Sequence, residues 1–395
     1  MSVYPIVLPL LITPLYVAPS SWLARHKPPV PMEGLAGFEI INTMEKLSAA
    51  MVAALSVGIL YGALRRLVSV RASLVLAGVY AFGSTTWAIS SQALWRHGLS
   101  ELALAGALWG LTRPVESRSY GFWVGLALAL AASNNMVYAV PALIFLVYFA
   151  RSERRHLWSY CLPLAVLGLA VMGYNWHFFH RLLGPYPSAL PASEVHRYGR
   201  GPEVNLAWWG GAVGLLASPN RGLLIFIPWT FFAIWGAARA WKKNSLRWEA
   251  YLVPSALAVY LVHAGFGEWW GGVCFGPRYL TDILPFLVFF LVPIWDELKR
   301  RRIMLGGFIL AAAISVGVEV VGVFYYPHGD WDWKPVPTIY DPRRIWDWRD
   351  TQISRSLLAG PSPPLLLYDW LTIIRSGELS DSASGSSQVL KARKK

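Results

Sequence analysis

Residues 268–280 read EWWGGVCFGPRYL and lie between two apolar runs of the chain. The stretch combines an acid, two adjacent tryptophans, glycines, a proline and an arginine. Glycine lets the backbone come close to a neighbouring group, and proline has a backbone angle suited to a helix start. The role of such a loop depends on the segments around it and on which side of them it lies.

The composition indicates a polytopic integral membrane protein with an all-α fold. The chain has 395 residues, of which 55% are hydrophobic and only 14% are charged. A soluble protein carries about 25% charged residues. The apolar residues also form runs that are too continuous for the amphipathic helices of a soluble domain.

About 10–11 helical membrane segments are predicted, given that a full span needs roughly 20 apolar residues. The runs cover residues 3–19, 47–64, 72–91, 98–112, 119–133, 136–150, 158–178, 222–239, 248–266, 279–295 and 303–325. The first run is rich in proline, so an interfacial or re-entrant element is as compatible with it as a crossing.

Basic residues give the predicted orientation. Every second connection is basic, which is the pattern of cytoplasmic connections. These connections hold Arg65, Arg66, Arg71, Arg113, Arg118, Arg151, Arg154, Arg155, Arg239, Lys242, Lys243, Arg247, Lys299, Arg300, Arg301 and Arg302. Because both ends of residues 119–150 are basic, this stretch must turn back, and Ser133–Asn135 is the expected turn. The remaining connections and the C-terminus face outside.

The same topology accounts for the cysteines and the net charge. Cys161 and Cys274 are expected near opposite membrane faces, too far apart for a disulfide. The net charge of +13 is spread along the chain and largely follows from the orientation, so no nucleic-acid partner is expected. No metal site and no cofactor is predicted, and the N-terminus lacks the basic region of a cleaved signal.

Unusual residues collect in the predicted outer connections. They are WRHG at 95–98, the 179–221 loop ending in SPNRG, EWWGGVCFGPR, and the segment after 325. Arg221 and Arg278 each precede a predicted helix whose N-terminus would face outward, where free N–H groups favour an anion. We therefore expect both arginines to bind one lipid phosphate. The alternative is an anchor among lipid headgroups, with Arg278 paired to Asp282 four residues on.

Further residues are candidates for the same outer site. Glu268 lies beside the apolar rings of Trp269 and Trp270, a setting that raises the pKa of a carboxyl, so it is the candidate catalytic residue. The two tryptophans are also typical of an interfacial aromatic belt. The other substrate-cavity candidates are Arg96, His97, Asn134 and Asn135, with headgroup anchoring as the alternative for the first two.

Three regions are predicted along the chain. Residues 1–325 form a multi-pass transmembrane domain, and residues 376–395 are a Ser-rich disordered tail. Residues 326–375, which are dense in Trp and Asp, form an outer-face cap held by buried tryptophan and Asp–Arg pairs. The DWD at 330–332 superficially matches the metal-binding acidic pair of soluble sugar transferases, although no nucleotide-binding domain surrounds it.

These features resemble the integral-membrane glycosyltransferases of the GT-C type, especially bacterial relatives of protein O-mannosyltransferases and aminoarabinose transferases. The resembling stretches are SVYPIVLPLLITPLY at 2–16, SSQALWRHGLSEL at 90–102, SPNRGLL at 218–224, GGVCFGPRYLTDILPFL at 271–287 and RRIWDWRD at 343–350. The resemblance implies a protein of the bacterial inner membrane that takes a sugar from a polyprenyl-phosphate donor at the outer face. A carboxylate would assist the acceptor, and Arg278 would hold the donor phosphate.

The N-terminal region departs from the family pattern. The family places its key acids in an outer loop after a first transmembrane helix, upstream of a stretch like residues 2–16. We therefore expect little or no transferase activity from the chain as written. The local substitutes for the missing acids are Glu33, Glu39 and Glu45.

The alternative class is non-enzymatic, namely a lipid-linked-sugar transporter or flippase, or a membrane scaffold. A transporter more often has paired broken helices and a relay of charges inside the membrane. Only a few charges lie within the predicted segments, among them Glu101, Asp282 and Glu319.

Overall fold

The computed structural model describes residues 5–26, 35–184, 208–243 and 247–362. Within these ranges the chain consists of helices and connecting loops, without a β-strand, so the prediction of an all-α fold is confirmed. Much of the predicted 179–221 loop and the whole predicted tail lie outside these ranges. The helices that are long and apolar enough to cross a membrane are Ile41–Leu64, Arg154–Phe179, Arg278–Arg300 and Arg302–Phe324.

The chain up to residue 184 forms a series of helices that follows the predicted apolar runs. They are α1 (Val7–His26), α2 (Leu35–Leu64), α3 (Val70–Phe82), α4 (Arg96–Leu111), α5 (Tyr120–Asn134), α6 (Ala139–Ser152) and α7 (Leu157–Phe179). A π-helix, Thr86–Ser90, follows α3, and 3₁₀ turns lie at Met136–Tyr138 and Arg154–His156. The proline-rich first run is helical throughout α1.

Residues 119–150 form two helices rather than one. α5 ends at Asn134, Asn135 has an extended backbone, and a 3₁₀ turn then leads into α6. The hydroxyls of Tyr120, at the start of α5, and Tyr148, near the end of α6, lie 3.1 Å apart. The two helices are therefore antiparallel, with their turn where the basic ends of the stretch predict it.

The second part of the chain has shorter and more interrupted helices. They are α8 (Trp209–Ala217), α9 (Leu223–Phe226), α10 (Thr230–Lys243), α11 (Trp248–Ala264), α12 (Leu284–Phe289), α13 (Trp295–Arg300), α14 (Arg302–Phe324) and α15 (Gln352–Ala359). The 3₁₀ helices are Arg278–Ile283, Val292–Ile294 and Pro342–Trp346.

Two predicted helices differ from expectation at their outer ends. The run 222–239 divides near Pro228 into the four-residue α9 and the longer α10, because proline cannot donate the hydrogen bond that continues a helix. The run 279–295 begins as a 3₁₀ helix and becomes α-helical only at Leu284. The regular helix N-termini expected after Arg221 and Arg278 are therefore not present.

The predicted cytoplasmic connections contact one another. Arg66 Nη1 donates to the carbonyl of Trp109 at 2.7 Å, and His156 Nε2 hydrogen-bonds to the carbonyl of Val115 at 2.7 Å. These contacts link three connections, after α2, after α4 and before α7, which the positive-inside pattern assigns to one side.

α5 and α7 approach so closely that their backbones touch at GFWVG, residues 121–125. A Cβ on Gly125 would lie 2.2 Å from the carbonyl oxygen of Tyr160, and one on Gly121 would lie 2.5 Å from that of His156. Small residues four positions apart are the usual means by which membrane helices pack this tightly.

We predict that Gly125→Ala destabilises the protein, because the added methyl group must push α7 away. Overpacking of this kind costs about 1–3 kcal/mol, so the midpoint of thermal unfolding in detergent should fall. Gly168→Ala on α7 is the matched control, since nothing lies within 4 Å of its Cβ position. Equal unfolding midpoints for the two variants would contradict the close α5–α7 packing.

Candidate functional site

The loop between α11 and the 3₁₀ helix has a backbone that requires its glycines. Gly271, Gly272 and Gly276 have φ of 82°, 68° and 64°, in the left-handed region that other residues rarely adopt. A Cβ built on Gly271 would lie 3.4 Å from Arg278 Nε. The glycines thus form a compact turn on which the Arg278 side chain rests.

Arg278 is a partly exposed cation held between aromatic rings. Its guanidinium carbon lies 4.6 Å from the ring centroid of Trp95 and 5.6 Å from that of Tyr279. Its Nε is buried and has no hydrogen-bond partner. The ion pairs of the described ranges do not include Arg278. Its position is therefore fixed by stacking, and its charge is not neutralised by a protein carboxylate within salt-bridge distance.

Glu268 is a partly buried acid close to this arginine. Burial raises the pKa of the Glu268 carboxyl, and the positive charge of Arg278 opposes that rise. A carboxyl with a raised pKa is suited to proton exchange near neutral pH. Glu268 and Arg278 thus place a carboxyl with a raised pKa and a cation in one loop.

His97 and Asp282 form a buried pair next to Arg278. His97 lies at the start of α4 with 3% of its surface exposed, and Asp282 lies in the 3₁₀ helix with 0% exposed. The Nδ1 of His97 hydrogen-bonds to Oδ1 of Asp282. Such a contact orients an imidazole so that its Nε2 faces away from the carboxylate.

The 3₁₀ geometry explains why Asp282 does not pair with Arg278. An α-helix brings residues four apart together, whereas a 3₁₀ helix has three residues per turn and places them on different faces. Asp282 is thereby turned toward α4, where it contacts His97. The Arg278–Asp282 ion pair, which was the alternative interpretation of Arg278, does not form.

More ionisable and polar side chains surround this pair. We call the set made of His97, Glu101, Asn134, Tyr138, His263 and Asp282 the buried polar cluster; each is at most 3% exposed. Asn134 Nδ2 donates to the carbonyl of Arg96 at 2.7 Å and to Ser100 Oγ at 3.0 Å. Thr86 Oγ1 donates to Glu101 Oε1 at 2.9 Å.

Many atoms of the buried polar cluster lack a hydrogen-bond partner. They are Glu101 Oε2, Asn134 Oδ1, Tyr138 Oη, both ring nitrogens of His263, and Asp282 Oδ2, with Asn135 Nδ2 and Ser90 Oγ close by in sequence. Buried polar groups in proteins nearly always have partners, and water or a ligand supplies those that the chain does not. The concentration of such atoms beside Arg278 marks this region as the candidate functional site.

Arg221 lies in a different environment, where the protein takes all of its donors. The side chain is 0% exposed. Its five N–H groups donate to the carbonyls of Asn220, Trp270 and Gly272, to Gln352 Oε1 and to Asp332 Oδ1. The Asp332 contact is 2.6 Å long. With every donor occupied, the guanidinium has none left for a phosphate.

Arg221 and Arg278 are nevertheless neighbours across one loop. Arg221 Nη2 donates to Gly272 O at 3.0 Å, and a Cβ on Gly272 would lie 3.8 Å from Arg278 Nη2. Both distances end within Gly272, so adding the dimensions of that residue places the guanidinium groups of Arg221 and Arg278 at most about 10 Å apart. The geometry therefore supports a ligand role for Arg278, and a structural one for Arg221 that holds the loop beneath it.

The remaining candidates are distributed between packing and the site. Trp269 and Trp270 are 8% and 7% exposed, and the Trp269 ring packs against Gly214 and Trp346. The pair is therefore interior packing rather than an aromatic belt. Asn135 Oδ1 accepts from the backbone N–H of Val137 at 3.3 Å and so shapes the α5–α6 turn.

The acids expected to substitute for the missing acids of the family are not among the residues of the buried polar cluster. Glu45 Oε1 accepts from the backbone N–H of Leu94 at 3.1 Å. Glu33 and the side chain of Glu39 lie outside what the structure describes.

The DWD acids of the cap are bound to protein groups. Asp332 Oδ2 accepts from the Tyr326 hydroxyl at 2.8 Å and from Gln352 Nε2 at 3.1 Å, while Asp330 pairs with Lys334 at 2.9 Å. Trp331 is buried beneath the Arg344 guanidinium, whose central carbon lies 4.9 Å from the ring centroid. These contacts build the cap, and they do not favour a metal-binding role for the motif.

The structure adds site residues that the sequence did not single out as such. Asp282, Glu101, Tyr138 and His263 had no assigned role in the site. Two features of the sequence could have indicated some of these residues. Charges within apolar segments are usually functional, and His97 and Glu101 are four residues apart, so they lie on one face of α4.

Comparison with protein-family models, with curated proteins and with solved structures finds no match for this chain. Its function is therefore inferred from the residues of the site itself.

We predict that Arg221→Ala strongly destabilises the protein around the cap, because it leaves buried Asp332 and several carbonyls without their donor. Loss of one partner of a buried ion pair costs about 3–5 kcal/mol. Thermal unfolding in detergent, with limited proteolysis of the cap, would measure the loss.

Arg343→Ala is the matched control, since this cap arginine has 91% of its side chain exposed. Surface substitutions of this kind change stability by no more than about 0.5 kcal/mol. If Arg221→Ala unfolded at the same temperature as Arg343→Ala, the structural role of Arg221 would be excluded.

Proposed function

We propose that the chain is a polytopic membrane glycosyltransferase-like protein of the GT-C kind, which binds a polyprenyl-phosphate-linked sugar at the outer face of a bacterial inner membrane. The observation that carries the proposal is the partly exposed Arg278, stacked between two rings and without a carboxylate partner, beside Glu268 and the buried polar cluster.

The surface of α7 supports a membrane location. Of the most apolar stretch of this helix, only 11% is buried within the protein. Trp158 and Trp176, near its two ends, are 86% and 57% exposed, with exposed Leu162, Val166 and Leu169 between them. Eighteen residues of helix span about 27 Å, close to the thickness of a bilayer core. Tryptophans at the ends and aliphatic residues between them are typical of a lipid-facing helix.

Arg278 has the properties of a lipid-phosphate ligand. A guanidinium offers several N–H groups in a plane, and stacking on Trp95 leaves its edge available for a phosphate. The Gly271–Gly272 turn beside it presents no side chain, so an anionic headgroup can come close. The exposed apolar surfaces of the bundle suit the polyprenyl chain.

The neighbouring groups suit the proton transfer of a sugar-transfer reaction. The acceptor hydroxyl oxygen attacks the anomeric carbon, the bond from that carbon to the phosphate oxygen breaks, and polyprenyl phosphate leaves. The acceptor proton must pass to a base, for which Glu268 and the His97–Asp282 pair are the nearest candidates. Arg278 stabilises the negative charge that develops on the departing phosphate.

A second candidate function, transport of a lipid-linked sugar, is favoured by two observations. The outer ends of the 222–243 and 278–300 segments are broken into short helical pieces, and ionisable residues lie buried between helices. Both features are common in secondary transporters. Movement of a lipid-linked sugar between the leaflets of liposomes that contain the purified protein would favour the transporter, whereas binding without movement would favour the glycosyltransferase-like protein.

We predict that position 340 faces outside. Tyr340 is 62% exposed in the cap, and the basic connections place the cap opposite the cytoplasm. In a cysteine-free background, Tyr340→Cys should react with a membrane-impermeant maleimide in intact spheroplasts. Reaction only after the membrane is broken would reverse the orientation and remove the proposed site.

We predict that Arg278→Ala weakens binding of polyprenyl-phosphate mannose to the detergent-solubilised protein. A hydrogen bond to a charged group contributes roughly 1.5–3 kcal/mol, which corresponds to about a 10–150-fold loss of affinity. Arg278→Lys should recover only part of this loss, because a point charge replaces a planar group.

Arg343→Ala, which removes an exposed cap arginine, is the control for a general loss of positive charge. Unfolding temperatures of all three variants should match the parent protein. Unchanged donor affinity in a folded Arg278→Ala variant would exclude Arg278 as the phosphate ligand.

A further inference from the structure

A π-helix lies directly beside the buried polar cluster. π-helical turns are rare and occur mostly at functional sites. This turn, Thr86–Ser90, and the residues just before it bring the hydroxyls of Ser84, Thr86 and Ser90 into the interior, each at most 2% exposed. Ser84 Oγ donates to Thr86 Oγ1 at 3.0 Å, and Thr86 Oγ1 donates to Glu101 Oε1 at 2.9 Å.

Glu101 is the acid at the centre of this arrangement. Its side chain is 0% exposed, and its Oε2 has no hydrogen-bond partner. The ion pairs of the described ranges contain no cation for Glu101. An unpaired carboxylate in apolar surroundings is strongly disfavoured relative to the neutral acid. Glu101 therefore holds a proton in this arrangement.

Several ionisable groups interact with Glu101. Asp282 faces it from the 3₁₀ helix, Tyr80 from α3, and His97 precedes it by one turn of α4 while bonded to Asp282. Farther out, Tyr138, His263 and the cations Arg96 and Arg278 act on the His97–Asp282 pair. Glu101 is thus near a second carboxylate, Asp282, that is hydrogen-bonded to an imidazole.

Hydroxyl groups of the π-helix can also stabilise the ionised form of Glu101 by hydrogen bonds. Thr86 already donates to Oε1, and Ser90 Oγ, which lies near the carboxyl, has no partner of its own. When Glu101 loses its proton, the Ser90 hydroxyl can donate to Oε2. Both protonation states of Glu101 are therefore accommodated without movement of a helix.

We infer that Glu101 is a proton-binding site that exchanges its proton with the His97–Asp282 pair, so that these residues form a proton relay from the Arg278 loop to the π-helix. In each step an O–H or N–H bond breaks on the donor, a new one forms on the acceptor, and no other reactant is required.

Glu319 on α14 provides an internal comparison. It is also 0% exposed with both carboxyl oxygens unpartnered, but the group that faces it is the backbone N–H of Ala88. Among the described residues, the groups that act on Glu319 thus include no second carboxylate. The relay predicts different behaviour for the two glutamates in one protein.

The test uses dicyclohexylcarbodiimide, which reacts with protonated carboxyls and, because it is apolar, reaches those in apolar surroundings. The acid adds across one C=N bond of the carbodiimide and rearranges to a stable N-acylurea, which peptide mass spectrometry locates. The full-length protein in detergent is treated over a range of pH, in choline and in sodium salts. We expect labelling of Glu101 and Glu319, each with its own pH midpoint.

Asp282→Asn distinguishes a relay from two isolated acids. Removing the negative charge that faces Glu101 should lower its labelling midpoint by about one pH unit. The midpoint of Glu319 should not change, and this also shows that the variant is folded. Glu101→Gln gives the background for labelling at that position.

Three results would overturn the inference. Labelling at Glu101 no greater than the Glu101→Gln background would remove the proton site. An unchanged Glu101 midpoint in folded Asp282→Asn would remove the coupling. Suppression of Glu101 labelling by sodium but not by choline would assign the site to a metal cation in place of a proton.

Discussion

The junction between the 218–222 loop, the EWWGGVCFGPR loop and the cap depends on one buried cation, Arg221. Its guanidinium is fully buried, and its five donors reach three separate stretches of chain: its own loop, the EWWGGVCFGPR loop and the cap. A buried charge is tolerated only when nearly all its hydrogen bonds are made, so these stretches must adopt mutually consistent backbones. Gln352 strengthens the junction, since it accepts from the N–H of Gly276 and donates to the carbonyl of Cys274.

This junction determines where the candidate ligand residue lies. Because Arg221 holds the carbonyls of Trp270 and Gly272, the loop turns sharply through its left-handed glycines and delivers Arg278 against Trp95. The chain then enters a 3₁₀ helix, whose tighter turn directs Asp282 to His97. A fully satisfied polar network thus supports an adjacent cluster whose polar atoms are largely unsatisfied. This division is typical of functional sites, where a rigid support positions the polar groups of the site.

The sequence predicts the helical class and several local features because these depend on nearby residues. The turn at Asn134–Asn135 follows from the charges at the two ends of one stretch, and Gly276 of EWWGGVCFGPR does allow a close approach, to the Phe226 ring. The role of Arg221 could not be found this way, since its side-chain partners Asp332 and Gln352 are 111 and 131 residues away. The partner of Asp282 was missed because a period of 3.6 residues was assumed where the helix has three per turn.

The depth of the buried polar cluster bears on the choice between enzyme and transporter. Beyond the π-helix, the polar side-chain contacts among the described residues continue to the Tyr80 hydroxyl and Ser56 Oγ, which lie 3.0 Å apart. One turn further toward the predicted cytoplasmic side, the corresponding positions on α2 and α3 are Leu60 and Leu76, both fully buried. A proton-coupled transporter needs a route that opens to both faces, whereas an enzyme needs only a group that accepts the proton released at its outer site. The polar contacts end at buried leucines inside the bundle, where apolar packing provides no acceptor for a further proton transfer. The buried polar cluster therefore fits the requirement of an enzyme better than that of a proton-coupled transporter.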